Sequence, residues 1–156
     1  MLDARDIAAA SDRLSVLVMG TNDLAKELYA EHVPGRQPLL TGLGLALLAA
    51  RATGKVIIDG VYNDFRDEAG FRAECEQGRT LGMDGKTLIH PGQIAVCNEL
   101  FSPAAEEIAW SRRIIAAFQQ PENASKGVIT IDGKMVERLH LAMAERVAAI
   151  AEATGQ

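Results

Sequence analysis

The chain has no excess of basic side chains, no apolar run long enough to cross a bilayer and almost no cysteine. Its 156 residues carry 16 Lys and Arg against 21 Asp and Glu, a net charge of −5, so the basic footprint of a nucleic-acid binder is missing. The apolar stretch Leu39 to Ala52 falls short of the roughly 20 residues a spanning helix needs. Its Gly42 and Gly44 sit in the pattern of a core-facing helix. The N-terminus MLDARDIAAASDR has charges where a signal peptide has an apolar stretch, so no membrane partner and cytoplasmic residence are expected. The two cysteines, Cys75 and Cys97, match neither a paired metal motif nor C-x-x-C. They read as small apolar residues on helix faces. Asn123-Ala124-Ser125 satisfies the glycosylation pattern, which has no use without export.

What is present is 48% apolar composition, enough to bury a core, and three short apolar runs that each end in a polar cluster. These are Ser15 to Asp23 (SVLVMGTND), Lys55 to Asp64 (KVIIDGVYND) and Lys86 to Gln93 (KTLIHPGQ). A run without polar alternation is the signature of a strand buried on both faces, and helical spacing between such runs implies parallel β/α units. Sites in such folds gather at the carboxyl ends of the strands.

Along the chain, a short helix over Asp3 to Ser11 precedes a strand over Ser15 to Met19. Thr21 or Asn22 then caps a helix running to about Ala30. After a loop with Pro34, Gly35 and Pro38, Leu40, Leu43 and Leu47 recur at helical spacing until Gly54. A strand over Val56 to Ile58, a polar turn from Asp59 to Asp67, and a helix around Phe71 and Cys75 reaching Gly82 follow. The third strand is read over Lys86 to Ile89, and His90-Pro91-Gly92 starts a further helix.

Beyond Phe101, Ser102 and Pro103 open a helix through Trp110, Ile114 and Phe118. Val128 to Ile131 is a short strand or extended arm, and Asp132-Gly133 a turn. A final helix is read from about Met135 to Ala153, with Val136, Leu139, Met143, Val147 and Ile150 on one stripe that needs a cover. Three strands in this length suggest the back part of a barrel, since a closed one takes eight strands and roughly 250 residues.

Several long segments carry a resemblance: Gly20 to Leu28 (GTNDLAKEL), Leu48 to Gly54, Asp59 to Ile94 and the tail Ile131 to Val147. They resemble the HpcH/HpaI aldolase and citrate lyase β-subunit superfamily, and within it the coenzyme A ester lyases of malyl-CoA and citramalyl-CoA type. The resemblance implies an α/β fold that is a partial (β/α)8 TIM barrel, holding strands six to eight. Residues 1–101 would be the C-terminal half of the lyase domain, and residues 102–156 a helical extension that joins subunits into a homo-oligomer, a trimer or hexamer. It also implies a Mg2+-dependent carbon–carbon lyase that cleaves a 3-hydroxyacyl-CoA thioester to acetyl-CoA, or a related acyl-CoA, and a 2-oxo acid.

The same resemblance assigns residues. Asp23 matches the family's metal-binding Asp, a hard ligand suited to a hard cation; read by itself it is a carboxylate in a helix's first turn, stabilised by the dipole. Glu137 matches an Asp that acts as acid/base in a neighbouring subunit, and Leu139 stands where relatives often have Pro. A Glu keeps the carboxylate with one methylene more of reach; the alternative is an ordinary helix-start Glu. His90, Pro91 and Gln93 would shape the wall beside the coenzyme, although a His at a strand end is also commonly just hydrogen-bonded in place. Asp59, Tyr62, Asn63 and Asp64 either line the pocket or bond to their own turn. Arg36 is a candidate phosphate contact.

The resemblance further implies that the family's Glu ligand would lie just before Met1, so a partial gene product or misassigned start is expected, inactive by itself. Two other readings stay open: a 2-oxo acid aldolase that does not use coenzyme A, and a non-catalytic oligomerisation module.

Overall fold

The computed structural model describes residues 1–156 and divides the chain into two compact units, Met1–Phe101 and Ser102–Gln156. The first alternates strands and helices: α1 (Ala4–Ala9), β1 (Val16–Val18), α2 (Thr21–Glu27), α3 (Leu40–Ala52), β2 (Val56–Asp59), α4 (Glu68–Leu81), β3 (Gly85–Lys86) and α5 (Ile94–Phe101). The three strands form one parallel sheet in the order β1-β2-β3, with Val16 opposite Val56 and Ile58 opposite Gly85. Helices occupy the connections, as parallel strands require.

Strand alternation decides what is buried. Leu17 and Ile57 turn toward a core shared with Leu39, Leu43, Ala46 and Ala50 around α3. Each large side chain so buried contributes about 1.5–3 kcal/mol. Val16, Val18 and Val56 turn the other way and remain exposed, Val18 by 59%. A second cluster joins Phe71 and Cys75 of α4 to Val96 and Cys97 of α5. Both cysteines are free, and they serve as apolar packing.

Two glycines let these layers close. A Cβ on Gly60 would stand 2.3 Å from Thr21 Oγ1, and one on Gly78 would stand 2.8 Å from Asp59 Oδ2. Contact that close excludes any side chain, so the loops after β1 and β2 touch and α4 lies directly over Asp59.

Boundaries differ from the sequence reading at several points. The third strand ends at Lys86 rather than Ile89, because the Gln93 side chain takes over the backbone: its Oε1 accepts from Ile89 N at 3.0 Å and His90 N at 3.2 Å. The last bond to β2 is from Thr87 N to Asp59 O at 3.0 Å, and with the Ile89 and His90 donors capped no ladder continues beyond it. Helix α2 stops at Glu27, and Gly20 rather than Thr21 or Asn22 holds the cap position.

The second unit consists of α6 (Ala105–Gln119), a hairpin of β4 (Val128–Ile131) and β5 (Lys134–Glu137), and α7 (Arg138–Ala153). Helix α6 begins after an extended Ala104, two residues beyond Ser102-Pro103. Met135 and Val136 lie in β5, not in the last helix. Asp132 at φ 50° and Gly133 at φ 76° form the two-residue turn whose twist matches paired strands. The core joins Ile114, Phe118, Ile129, Val136 and Ala144. Leu139 and Met143, read as part of a stripe that needs a cover, are 55% and 64% exposed.

Candidate functional site

The polar side chains of the first unit converge where β2 and β3 end. Asp59, the last residue of β2, is fully buried, as are the side chain of Lys86 at the end of β3 and most of Arg36. Arg36 Nη1 donates to Asp59 Oδ1 at 2.7 Å and to Oδ2 at 2.8 Å. Lys86 Nζ donates to Asp59 Oδ2 at 3.2 Å and to Glu74 Oε1 of α4 at 2.6 Å. Arg36 Nε donates to Gln77 Oε1 at 2.8 Å, and Gln77 Nε2 returns a bond to Gly35 O at 2.6 Å. Two cations therefore face two anions away from water, an arrangement that is tolerable only while every partner is present.

A cleft of about 440 Å3 opens beside this cluster, between the turn that carries Arg36, the loop after β2 and the outer turns of α4. Tyr62 and Asp67 stand in its wall. Tyr62 Oη donates to Asp67 Oδ2 at 2.7 Å, while Asp67 Oδ1 accepts Gly70 N at 3.0 Å and so caps α4. That hydrogen bond, with added burial, pushes the Tyr62 phenol up to about 12. The same bond holds the Asp67 carboxyl below its ordinary range.

The strand-end loops are also joined by a reciprocal amide pair: Asn22 Nδ2 donates to Asn63 Oδ1 at 3.0 Å, and Asn63 Nδ2 to Asn22 Oδ1 at 2.8 Å. Asp64 Oδ1 accepts from Arg66 N, a bond within its own turn. Of the turn residues read as pocket candidates, Tyr62, Asn63 and Asp64 line the cleft, whereas Asp59 is spent on Arg36 and Lys86.

Asp23 is exposed in the first turn of α2, beside Gly20. No group of three or more His, Cys, Asp or Glu in the chain has the spacing of a metal site. His90 Nδ1 accepts Gly92 N at 3.1 Å, and its ring stacks on Phe65 with centroids 4.6 Å apart. Pro91 follows in an exposed short 3-10 turn. Gln93 is buried, its amide committed to Ile89, His90 and, through Nε2, to Tyr62 O at 3.2 Å. Glu137 lies in the other unit at the start of α7, where its backbone N–H donates to His140 Nδ1 at 2.9 Å. Within the first unit the structure thus brings Gln93 against Tyr62, and Phe65 against His90.

Sequence reading named Asp59 and Arg36 individually but missed their pairing, and it missed Lys86, Glu74 and Gln77 altogether. One signal was available: an Asp and a Lys inside segments that otherwise read as buried strand need buried counter-charges.

Comparison with known proteins gives a family and relatives. The HpcH/HpaI aldolase/citrate lyase family matches over residues 1–91. The (3S)-malyl-CoA thioesterase of Cereibacter sphaeroides is 58% identical over 153 residues, covering 98% of this chain and 53% of that protein. The citrate lyase subunit beta of Escherichia coli K12 is 36% identical over 152 residues, 97% of this chain and 50% of the relative. Among solved structures, Mycobacterium tuberculosis CitE in complex with magnesium, acetoacetate and coenzyme A superposes with a TM-score of 0.74 at 30% identity. That match covers 96% of this chain and 56% of the other. The chain spans about half the length of the curated relatives it matches.

Proposed function

Because the chain belongs to the HpcH/HpaI aldolase/citrate lyase family, we propose that it is part of an enzyme acting on the coenzyme A thioester of a short hydroxy-dicarboxylic acid, of the malyl-CoA kind. The observation that carries this reading is the 58% identity over 153 residues with a (3S)-malyl-CoA thioesterase. The reaction is then hydrolysis: water adds to the thioester carbonyl, the carbon–sulfur bond breaks, and the thiol leaves with a proton. Glu137 supplies the carboxylate that takes the proton from water and passes it to sulfur. The bond from its N–H to His140 supports this role by fixing the backbone from which the side chain projects.

A second reading rests on the 36% identity with citrate lyase subunit beta. It is carbon–carbon cleavage of a 3-hydroxyacyl-CoA to acetyl-CoA and a 2-oxo acid: the 3-hydroxyl gives up its proton as the carbon–carbon bond breaks and the new carbonyl forms, and the Glu137 carboxyl delivers a proton to the carbon left as an enolate. In both readings β1 to β3 are strands six to eight of a (β/α)8 barrel, and Ser102–Gln156 is the arm that joins subunits.

Magnesium enters through the relative solved with it. A hard cation of this size wants about six oxygens in near-octahedral array, and Asp23 is an exposed carboxylate that belongs to no group of three or more His, Cys, Asp or Glu able to hold a metal ion. The residues of this chain do not fit a magnesium site by themselves. Asp23 is proposed as one ligand of a site completed elsewhere. His90 and Pro91 are proposed to form the coenzyme wall with the Phe65 ring. Gln93 contributes by holding that wall in shape, since its amide is already committed.

The test is a fusion of this chain behind the N-terminal half of the Cereibacter thioesterase, supplied with malyl-CoA and magnesium. Release of free thiol without a 2-oxo acid supports hydrolysis, and acetyl-CoA with an equal amount of 2-oxo acid supports the lyase. A folded fusion that yields neither product overturns both.

A further inference from the structure

Arg36 Nη2 is the one buried side-chain donor in the protein with no partner. The other ends of the same guanidinium are saturated, Nη1 by Asp59 and Nε by Gln77. Arg36 is 4% exposed and sits at φ 52°, directly after Gly35 at φ 78°. A non-glycine residue held there, on a charged group with an unmet donor, is a double cost that surrounding structure must impose. Such costs cluster where a ligand supplies what is missing.

Charge selects the ligand. Arg36 is the only Lys or Arg lining the cleft, against the carboxylates of Asp64, Asp67 and Glu74. Asp59 has already answered the Arg36 charge. An incoming phosphate or carboxylate would meet net negative charge at short range, whereas an uncharged carbonyl oxygen takes the same hydrogen bond without that repulsion. Val33, Leu39 and Val61 give the cleft an apolar side, and its volume of about 440 Å3 is of the size that holds small ligands.

We infer that Arg36 Nη2 and this cleft bind an uncharged carbonyl oxygen on a narrow, partly apolar chain, namely an amide of the pantetheine arm of a coenzyme A thioester. This rests on the reading that the chain acts on such thioesters. It replaces the phosphate role that a loop arginine suggests. Nη2 is screened from solvent, so binding there requires the atoms that cover it to move aside.

The experiment is nitrogen-15 NMR of the Arg36 guanidinium in the whole chain, titrated separately with pantetheine, with 3′,5′-ADP and with coenzyme A. Pantetheine and coenzyme A are expected to shift the Arg36 signals, and 3′,5′-ADP to leave them in place. Arg36→Lys should weaken pantetheine binding about tenfold or more, the loss expected when a buried acceptor loses its donor. Ala73→Phe, which fills the cleft without touching the ion cluster, should do the same and carries the test if Arg36→Lys does not fold. A shift with 3′,5′-ADP alone would make this an oxyanion site and overturn the inference. Coenzyme A binding that leaves Arg36 unmoved would remove this inference only, with water as the occupant. Absence of any coenzyme A binding, both by this chain and by its fusion with the N-terminal half of the thioesterase, would remove it together with the thioester reading.

Discussion

Arg36 meets Asp59 end-on: its Nη1 lies 2.7 Å from one carboxylate oxygen and 2.8 Å from the other, and Asp59 has no exposed surface. The contact ties the left-handed turn before α3 to the end of β2. Lys86 adds β3, and Glu74 adds α4. One carboxylate therefore holds three connections of the sheet at the end where the candidate site lies.

Asp59→Asn should destabilise the first unit by about 3–5 kcal/mol, because it leaves Arg36 and Lys86 with Glu74 as the sole anion in a dry cluster. Chemical unfolding followed by circular dichroism measures it. A loss below about 1 kcal/mol, the range of exposed pairs, would show that water reaches the cluster.

The Tyr62–Asp67 bond makes two pH windows. The Tyr62 phenol is raised from 10 to about 12, so its contribution is complete below pH 10 and fades as pH climbs to about 12. The Asp67 carboxyl is lowered from 3.8, so its contribution is complete above pH 4 and fades on acidification through the depressed value. A rapid pH jump read by tyrosinate absorbance should find a phenol ionising near 12 that Tyr62→Phe deletes. Ionisation of Tyr62 near 10 would contradict the hydrogen bond.

Glu137 separates catalysis from capping. In the fusion with a thioesterase N-terminal half, Glu137→Gln should lower turnover by about 100-fold or more, the usual scale for losing an acid/base, with an unchanged melting temperature. Glu137→Asp, which restores the residue type of the resembling lyases, should retain measurable activity. Equal rates for the wild type and Glu137→Gln would leave Glu137 as the cap residue before α7 and nothing more.

The legible parts of this fold were those set by local pattern. SVLVMG and KVIIDG are strands because their apolar runs lack alternation, and Leu40 to Ala52 is a helix because Leu40, Leu43 and Leu47 recur on one face. Met135 and Val136 misled because their spacing continues that of α7, while the Asp132-Gly133 turn, which outweighs it, acts only through pairing with β4. Thr87 to Ile89 misled because pairing with β2 ends at the Thr87 N–H, which donates to Asp59 O, while Gln93, several residues further on, captures the N–H groups of Ile89 and His90.

The sequence by itself determined the order of the strands and helices in the first unit, and its resemblance pointed to the family that residues 1–91 match. Only the tertiary structure decided that Arg36, Asp59, Glu74 and Lys86 form one buried cluster. It alone left Arg36 Nη2 buried and unpaired in a residue that lines a cleft, and Asp23 exposed outside any group of three or more potential metal ligands. The reason is range. Secondary structure follows from neighbours within a few residues, whereas a buried charge is stable only beside counter-charges that the fold carries in from distant elements.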